Sequence, residues 1–261
     1  MKKLLIFLII LISVSCSREI KSPEPISNNR DIQNLMDVKN LQAFFTRSDH
    51  DAQMAMQVIE KHRIIQHLTH LKKMNSGGRK YYLLEKDSIT EMIQSVTRGI
   101  YLDYMLINRN GEIVYSRSND DLFGQDINIG YESTPLKRCF SMKERETYFD
   151  DVSTITPGSS IYSLFVSKPV YIDNSFHGVL ILQVDIQKIA ELLEHGTDII
   201  SKEGIVRVTG DNTPILSHHI SFPVLKAQAK TEGFFKDGTS IIHFEPFKFR
   251  NISWIVLTKK M

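Results

Sequence analysis

Two short apolar runs flank a polar turn over Leu102–Asp126, LDYMLINRNGEIVYSRSNDDLFGQD. Tyr104–Ile107 and Glu112–Tyr115 are rich in residues that suit a pleated, half-buried surface. Between them lies Asn110-Gly111, a pair whose tolerance of positive φ makes it a strong hairpin signal. A lone hairpin is not stable in water, so this one predicts further strands or a helix over its apolar face.

Upstream the period changes to that of a helix. Ile32, Leu35, Met36, Leu41, Phe44 and Phe45 recur at three- and four-residue spacing, and Val58, Ile59, Ile65, Leu68 and Leu71 continue the stripe. No proline interrupts Asp31–Met74. This predicts one long helix, or two broken near Ser48–Asp51, ended by Asn75-Ser76-Gly77-Gly78. A second helix is expected to start at Ser88, which has capping-box spacing to Glu91, and to end near Gly99.

Downstream the pattern returns to short runs. Ser133–Met142 predicts a short helix with Leu136, Cys139 and Phe140 inward, and Tyr148–Val152 a strand. A Pro157-Gly158 turn precedes a buried strand over Ile161–Val170. Asp173-Asn174 turns the chain into an apolar strand over Gly178–Val184, and Asp185-Ile186 leads into a helix over Ile189–Leu193. Gly204–Val208 and Ile215-Leu216 read as further strand material, and Phe222–Ala229 as a helix. A hairpin over Phe234–Gly238 and Ile241–Phe244 follows, and Asn251–Thr258 closes the series. Helices at the start and antiparallel strands after them describe an α+β fold.

The first residues change the expected location. After Met1-Lys2-Lys3, the run Leu4–Val14 is apolar, but eleven helical residues reach only about 16 Å, half a bilayer core. That is the size of a signal-peptide core. Ser15 before Cys16 resembles the lipobox of bacterial lipoproteins, in the relaxed form reminiscent of spirochaetes, with Ser13 where leucine is usual. The resemblance implies cleavage after residue 15 and acylation of Cys16, leaving Ser17–Asn29 as an extended tether with Pro23 and Pro25. No later run is long enough to span a membrane, so everything after Cys16 is expected on one side of it.

Composition narrows the partners. The formal charge of +2 falls to about zero once Lys2 and Lys3 are removed, which gives no reason to expect nucleic acid. With Cys16 acylated, only Cys139 remains, so no internal disulfide is expected. His62, His67 and His70 are spaced by five and then three, and adjacent His218 and His219 diverge, so neither set predicts a metal site. G-x-S-x-G, H-E-x-x-H, C-x-x-C and P-loop motifs are all missing. Asp150 and Asp151 are strand neighbours and point to opposite faces. The sequence predicts a non-enzymatic protein with no cofactor.

A long N-terminal helix followed by INRNGEIVYSR, FDDVS, SLFVSKPVY and GVLILQVDIQKI resembles the membrane-distal half of the double Cache (dCache) sensors found outside bacterial chemoreceptors, histidine kinases and cyclases. The remainder fits the membrane-proximal half. The resemblance implies a long N-terminal helix packed on two PAS-like antiparallel sheets. A distal module then spans residues 31–195, after a signal at 1–15 and a tether at 16–30, and a smaller proximal module spans 196–261. It also implies a small-molecule cleft on one face of the distal sheet. The positions matching that cleft are Tyr115, Arg117, Tyr148, Asp150, Tyr162, Phe165 and Asp185. There, tyrosine rings would wall a ligand, Arg117 would grip a carboxylate, and an aspartate would accept an ammonium.

Two departures qualify what the resemblance implies. Amino-acid-binding members carry an arginine followed by aromatics ahead of the fourth strand. Here TITPGSSIYSLF has neither the arginine nor the tryptophan, although Asp185 sits where the ammonium-binding aspartate is found. An organic acid or an amine is therefore the expected ligand. The chain also ends at Lys259-Lys260-Met261 with no output module, so a bound state is expected to pass to a membrane receptor or transporter. A structural or adhesive surface lipoprotein that keeps the fold without a ligand is the alternative. The long helix allows pairing with a second copy, and its stripe is equally explained by packing on its own sheet.

Overall fold

The computed structural model describes residues 31–74, 77–156, 158–211, 213–227 and 232–260. The expected signal segment, Cys16 and the tether lie outside the described residues. Three helices come first: α1 (Asp31–Lys61), α2 (Ile64–Lys73) and α3 (Gly78–Gln94). No helix among the described residues is long and apolar enough to cross a membrane.

The helix boundaries differ from those the sequence suggests. α1 runs unbroken through Ser48–Asp51, because the Ser48 hydroxyl donates to Phe44 O and Asp51 accepts from Arg98 and Tyr101. The break falls instead at Arg63, which adopts the left-handed conformation (φ 52°) and reaches Asp173. α3 starts at Gly78, ten residues before the expected Ser88, so the capping box does not form. Gly78 is required there, since a Cβ would stand 2.0 Å from Leu71 O of α2.

The first sheet contains β1 (Tyr101–Asn108), β2 (Ile113–Ser116), β3 (Tyr148–Thr154), β4 (Tyr162–Ile172) and β5 (Ser175–Asp185) in the antiparallel order β2-β1-β5-β4-β3. The hairpin at Asn110-Gly111 forms, but only Gly111 of the pair has positive φ. Its N–H donates to Asn108 O, and a bulge shifts the register between Leu106 and Ile107. Asp173 and Asn174 both have positive φ, as a primed two-residue turn needs. Gly178 lets β5 approach β1, since a Cβ would meet Ile107 O at 2.0 Å. The sheet is covered on one face by α1–α3. On the other lie α4 (Pro135–Ser141), which buries Leu136, Cys139 and Phe140, and the loop before it.

After the short helix α5 (Ile186–Ala190) the topology repeats. The second sheet contains β6 (Thr197–Ser201), β7 (Val206–Thr209), β8 (Gly233–Asp237), β9 (Ser240–Phe249) and β10 (Ile252–Lys260), ordered β7-β6-β10-β9-β8. α6 (Phe222–Ala227) packs on its outer face through Leu225. β6 was not expected from the sequence: TDIIS is too short, with only Ile199 and Ile200 apolar, to show a period. The two sheets share one continuous core, which runs from the buried face of α1 through Phe149 to Phe247 and Trp254.

Candidate functional site

The face of the first sheet opposite α1–α3 carries a cavity of about 480 Å³. Its floor is sheet: Leu102 and Asp103 from β1 and Gln183 from β5, where Asp103 and Gln183 are register partners. Its walls are the loop residues Ser118, Asn119, Leu122 and Tyr131, Leu136 of α4, and Ile155, Thr156 and Ile161 between β3 and β4. The lining is mostly apolar, with a few convergent polar groups, as small-ligand sites usually are.

Asp103 is 1 % exposed, and four donors saturate its carboxylate. Oδ1 accepts from the Arg117 and Ser118 N–H groups (2.7 and 3.1 Å), and Oδ2 from the Ser116 and Ser118 hydroxyls (2.6 and 2.7 Å). Gln183 is differently placed. Its Nε2 donates to Ser163 Oγ at 2.9 Å, while no hydrogen bond occupies its amide oxygen among the described residues. It is 6 % exposed and lines the cavity, so it offers a buried acceptor to a ligand donor. At the wall, Tyr131 donates to Gln125 (2.5 Å), and burial raises its pKa.

The seven residues expected at the ligand divide between the two faces. Phe165 lies on the cavity face, fully buried and paired with Gln183. Tyr148 and Asp150 share that face, but the carboxylate of Asp150 is already held by Arg138 of α4, which donates from Nε and Nη2 at 2.8 and 2.7 Å. That bond raises the Arg138 pKa. Tyr148 donates to the same carboxylate, and burial pushes its phenol up. Asp151 points the other way, to Arg207 and Trp254.

Tyr115, Arg117 and Tyr162 belong to the helix-covered face. Tyr115 bonds Thr90 of α3 at 2.7 Å, and burial pushes its pKa up to about 12. Arg117 donates to Tyr101 O and lies 5.4 Å over the Tyr104 ring. Tyr162 packs with Leu164 and Val166 against the helices. Asp185 caps α5 by accepting from the Gln187 N–H. None of the seven lines the cavity. The bulge in the β1–β2 pairing explains part of this, since it turns both Val114 and Tyr115 toward the helices.

Asp103, Gln183, Asn119 and Tyr131 were missed from the sequence. A signal for two of them was present: Asp103 in YLDYMLI and Gln183 in VLILQV each stand alone among apolar strand residues. A buried polar residue in such a run is the informative exception.

No family model matches the chain, and no curated protein matches it. Solved structures do. An extracellular ligand binding receptor from Desulfohalobium retbaense DSM5692 superposes with a TM-score of 0.64 over 90 % of this chain at 11 % identity. This chain spans only 41 % of that longer one. The sensor domain of the V. cholerae histidine kinase DctB gives a TM-score of 0.61 at 13 % identity, covering 90 % of this chain and 97 % of that one. The fold is the paired PAS-like fold of Cache sensor domains. The ligand-binding domain of the Pseudomonas fluorescens chemoreceptor CtaA, in complex with L-alanine, repeats it with a TM-score of 0.59 at 12 % identity, over 88 % of this chain and 95 % of that one. At such identities the likeness to these Cache domains is one of fold.

Proposed function

We propose that this chain is an extracytoplasmic, lipid-anchored sensor that binds a small molecule and does no chemistry on it. In this reading residues 31–195 form the ligand-binding distal module and 196–261 a supporting proximal one. Cys16 carries the lipid, and the bound state is read by a membrane receptor or transporter. The observation that carries the proposal is the cavity of about 480 Å³ on the sheet face left free by the long helix.

The lining supports a ligand class. Among the described residues, Asp103 is the only charged side chain that lines the cavity, so a ligand carboxylate would meet no cation there. Of an organic acid and an amine, the amine fits better, with an apolar body against Leu122, Leu136 and Ile155 and a donor group on the Gln183 oxygen. The ligand contacts we propose are Gln183, Asn119 and Tyr131, with Phe165 beneath them. Tyr115, Arg117 and Tyr162 act on the helix side.

A thermal-shift screen of amines, neutral metabolites and organic acids tests the reading. A true ligand at a hundredfold excess over Kd stabilises by about 2.7 kcal/mol. Leu136→Trp, which fills the cavity, should abolish the shift, and Gln183→Leu should weaken it at least tenfold. Arg117→Ala should leave it in place. Saturable binding that survives Leu136→Trp would place the ligand elsewhere. Failure of every compound class would favour a structural or adhesive lipoprotein.

A further inference from the structure

The second sheet repeats the strand order of the first, and it too carries a cavity on its outer face, of about 310 Å³. The two differ in chemistry. Where the first is mainly apolar, the second is acidic: Asp198 of β6, Asp237 of β8 and Asp211 of the connecting loop line it, against the single amine of Lys259.

Neither Asp198 nor Asp237 pairs with a lysine or arginine among the described residues. Asp198 Oδ2 accepts from Thr213 Oγ1 at 3.1 Å and from His219 Nε2 at 3.0 Å. His219 Nδ1 accepts the Ser221 N–H at 3.2 Å, so the ring meets Asp198 through Nε2. Asp237 accepts from the Ser221 hydroxyl at 2.5 Å. Asp198 is 8 % exposed, and its Oδ1 has no hydrogen-bond partner among the described residues. Burial alone would raise its pKa, but the hydrogen bond from His219, those of neighbouring threonines and the attraction of the His219 ring outweigh burial and leave the pKa below the ordinary carboxylate value. A buried carboxylate oxygen left without a donor is costly, and a donor group brought in by a ligand relieves that cost.

We propose that this cavity is a second ligand site, for a small organic cation whose primary ammonium is held by Asp198 and Asp237. A bare metal ion fits less well, because among the described residues no three His, Cys, Asp or Glu side chains converge closely enough to hold one. Ile242 and Leu257 on the floor, with Ile220 at the rim, offer apolar surface to a carbon chain. The proposal stands apart from the ligand reading of the first cavity.

Isothermal titration of the full chain in detergent with 1,4-diaminobutane tests it, with 1,4-butanediol as the uncharged control. The diamine is expected to bind saturably at one site and the diol not at all. Asp237→Asn, at a half-buried position and of unchanged volume, should weaken the diamine at least tenfold. Gln183→Leu in the first cavity should leave its affinity unchanged. Absence of saturable heat, equal binding of the diol, full affinity in Asp237→Asn, or loss of binding in Gln183→Leu would each overturn the proposal.

Discussion

Asp103 shows how one residue can shape a site without touching what the site binds. A carboxylate has about four acceptor positions, and all four are filled by the chain leaving β2. Those bonds fix Ser118 and Asn119 at the cavity wall. Asp103→Asn keeps the volume but replaces one acceptor oxygen with a donor amide, which then faces groups that donate to that position. We expect a loss of about 2–3 kcal/mol in urea unfolding, together with weaker ligand binding through the displaced wall. A stability loss under 0.5 kcal/mol would show that water replaces the lost acceptor. At this scale the sequence is only half legible. Asp103 and Gln183 stand out as polar residues in apolar strands, whereas the facing of Tyr115 and Arg117 depends on a bulge that alternation does not reveal. The engagement of Asp150 by Arg138 is also hidden, because the partner sits twelve residues away on another element.

Between elements, polar ties decide where helices sit. α2 is fastened to the opening hairpin by Lys72, which donates to Glu112, while Asn108 Nδ2 donates to the same carboxylate at 2.8 Å. Burial alone would raise the Glu112 pKa; the hydrogen bonds from Lys72 and Asn108 outweigh it, and the pKa lies below the ordinary value. The folded state therefore binds this proton less tightly than the unfolded chain does. Its contribution to stability is present above the unfolded carboxylate pKa of about 4.3, and it is lost as pH falls through the lower folded value. Lys72→Met should cost up to about 1 kcal/mol at pH 7, and the gap to the parent should narrow as pH falls below the ordinary carboxylate range in paired urea titrations. A gap that does not narrow as pH falls would mean that Lys72 acts through the packing of its stem. The same ties explain which helix ends were unreadable. Ser48–Asp51 looks like a break because it is polar, yet Arg98 and Tyr101, fifty residues away, satisfy it. The true break at Arg63 carries no Gly or Pro signal.

Over the whole molecule, most strands were legible because they are short apolar runs closed by turn residues, but the joining of the two sheets was not. Phe45 of α1 is the meeting point. Its ring centroid lies 5.3 Å from those of Phe149 in the first sheet and Phe247 in the second, and 5.4 Å from those of Phe249 and Trp254. Around it, Asn251 in the β9–β10 turn clasps the backbone of Phe149, accepting from its N–H and donating to its oxygen. Asp151 of β3 takes the Trp254 Nε1–H at 2.9 Å and stands 2.9 Å from Arg207 of β7. Neither sheet can lose this contact without exposing large aromatic surface, so the two should unfold together. Calorimetry of the full chain should show one transition whose calorimetric and van't Hoff enthalpies agree. Phe45→Ala removes a ring from the shared centre and should cost about 3–5 kcal/mol. Trp254 fluorescence, which reports on the second sheet, should shift its midpoint by the same amount as far-ultraviolet dichroism. If the fluorescence midpoint alone moved, the sheets would be separate folding units, and a ligand bound on the first would have no structural route to the second.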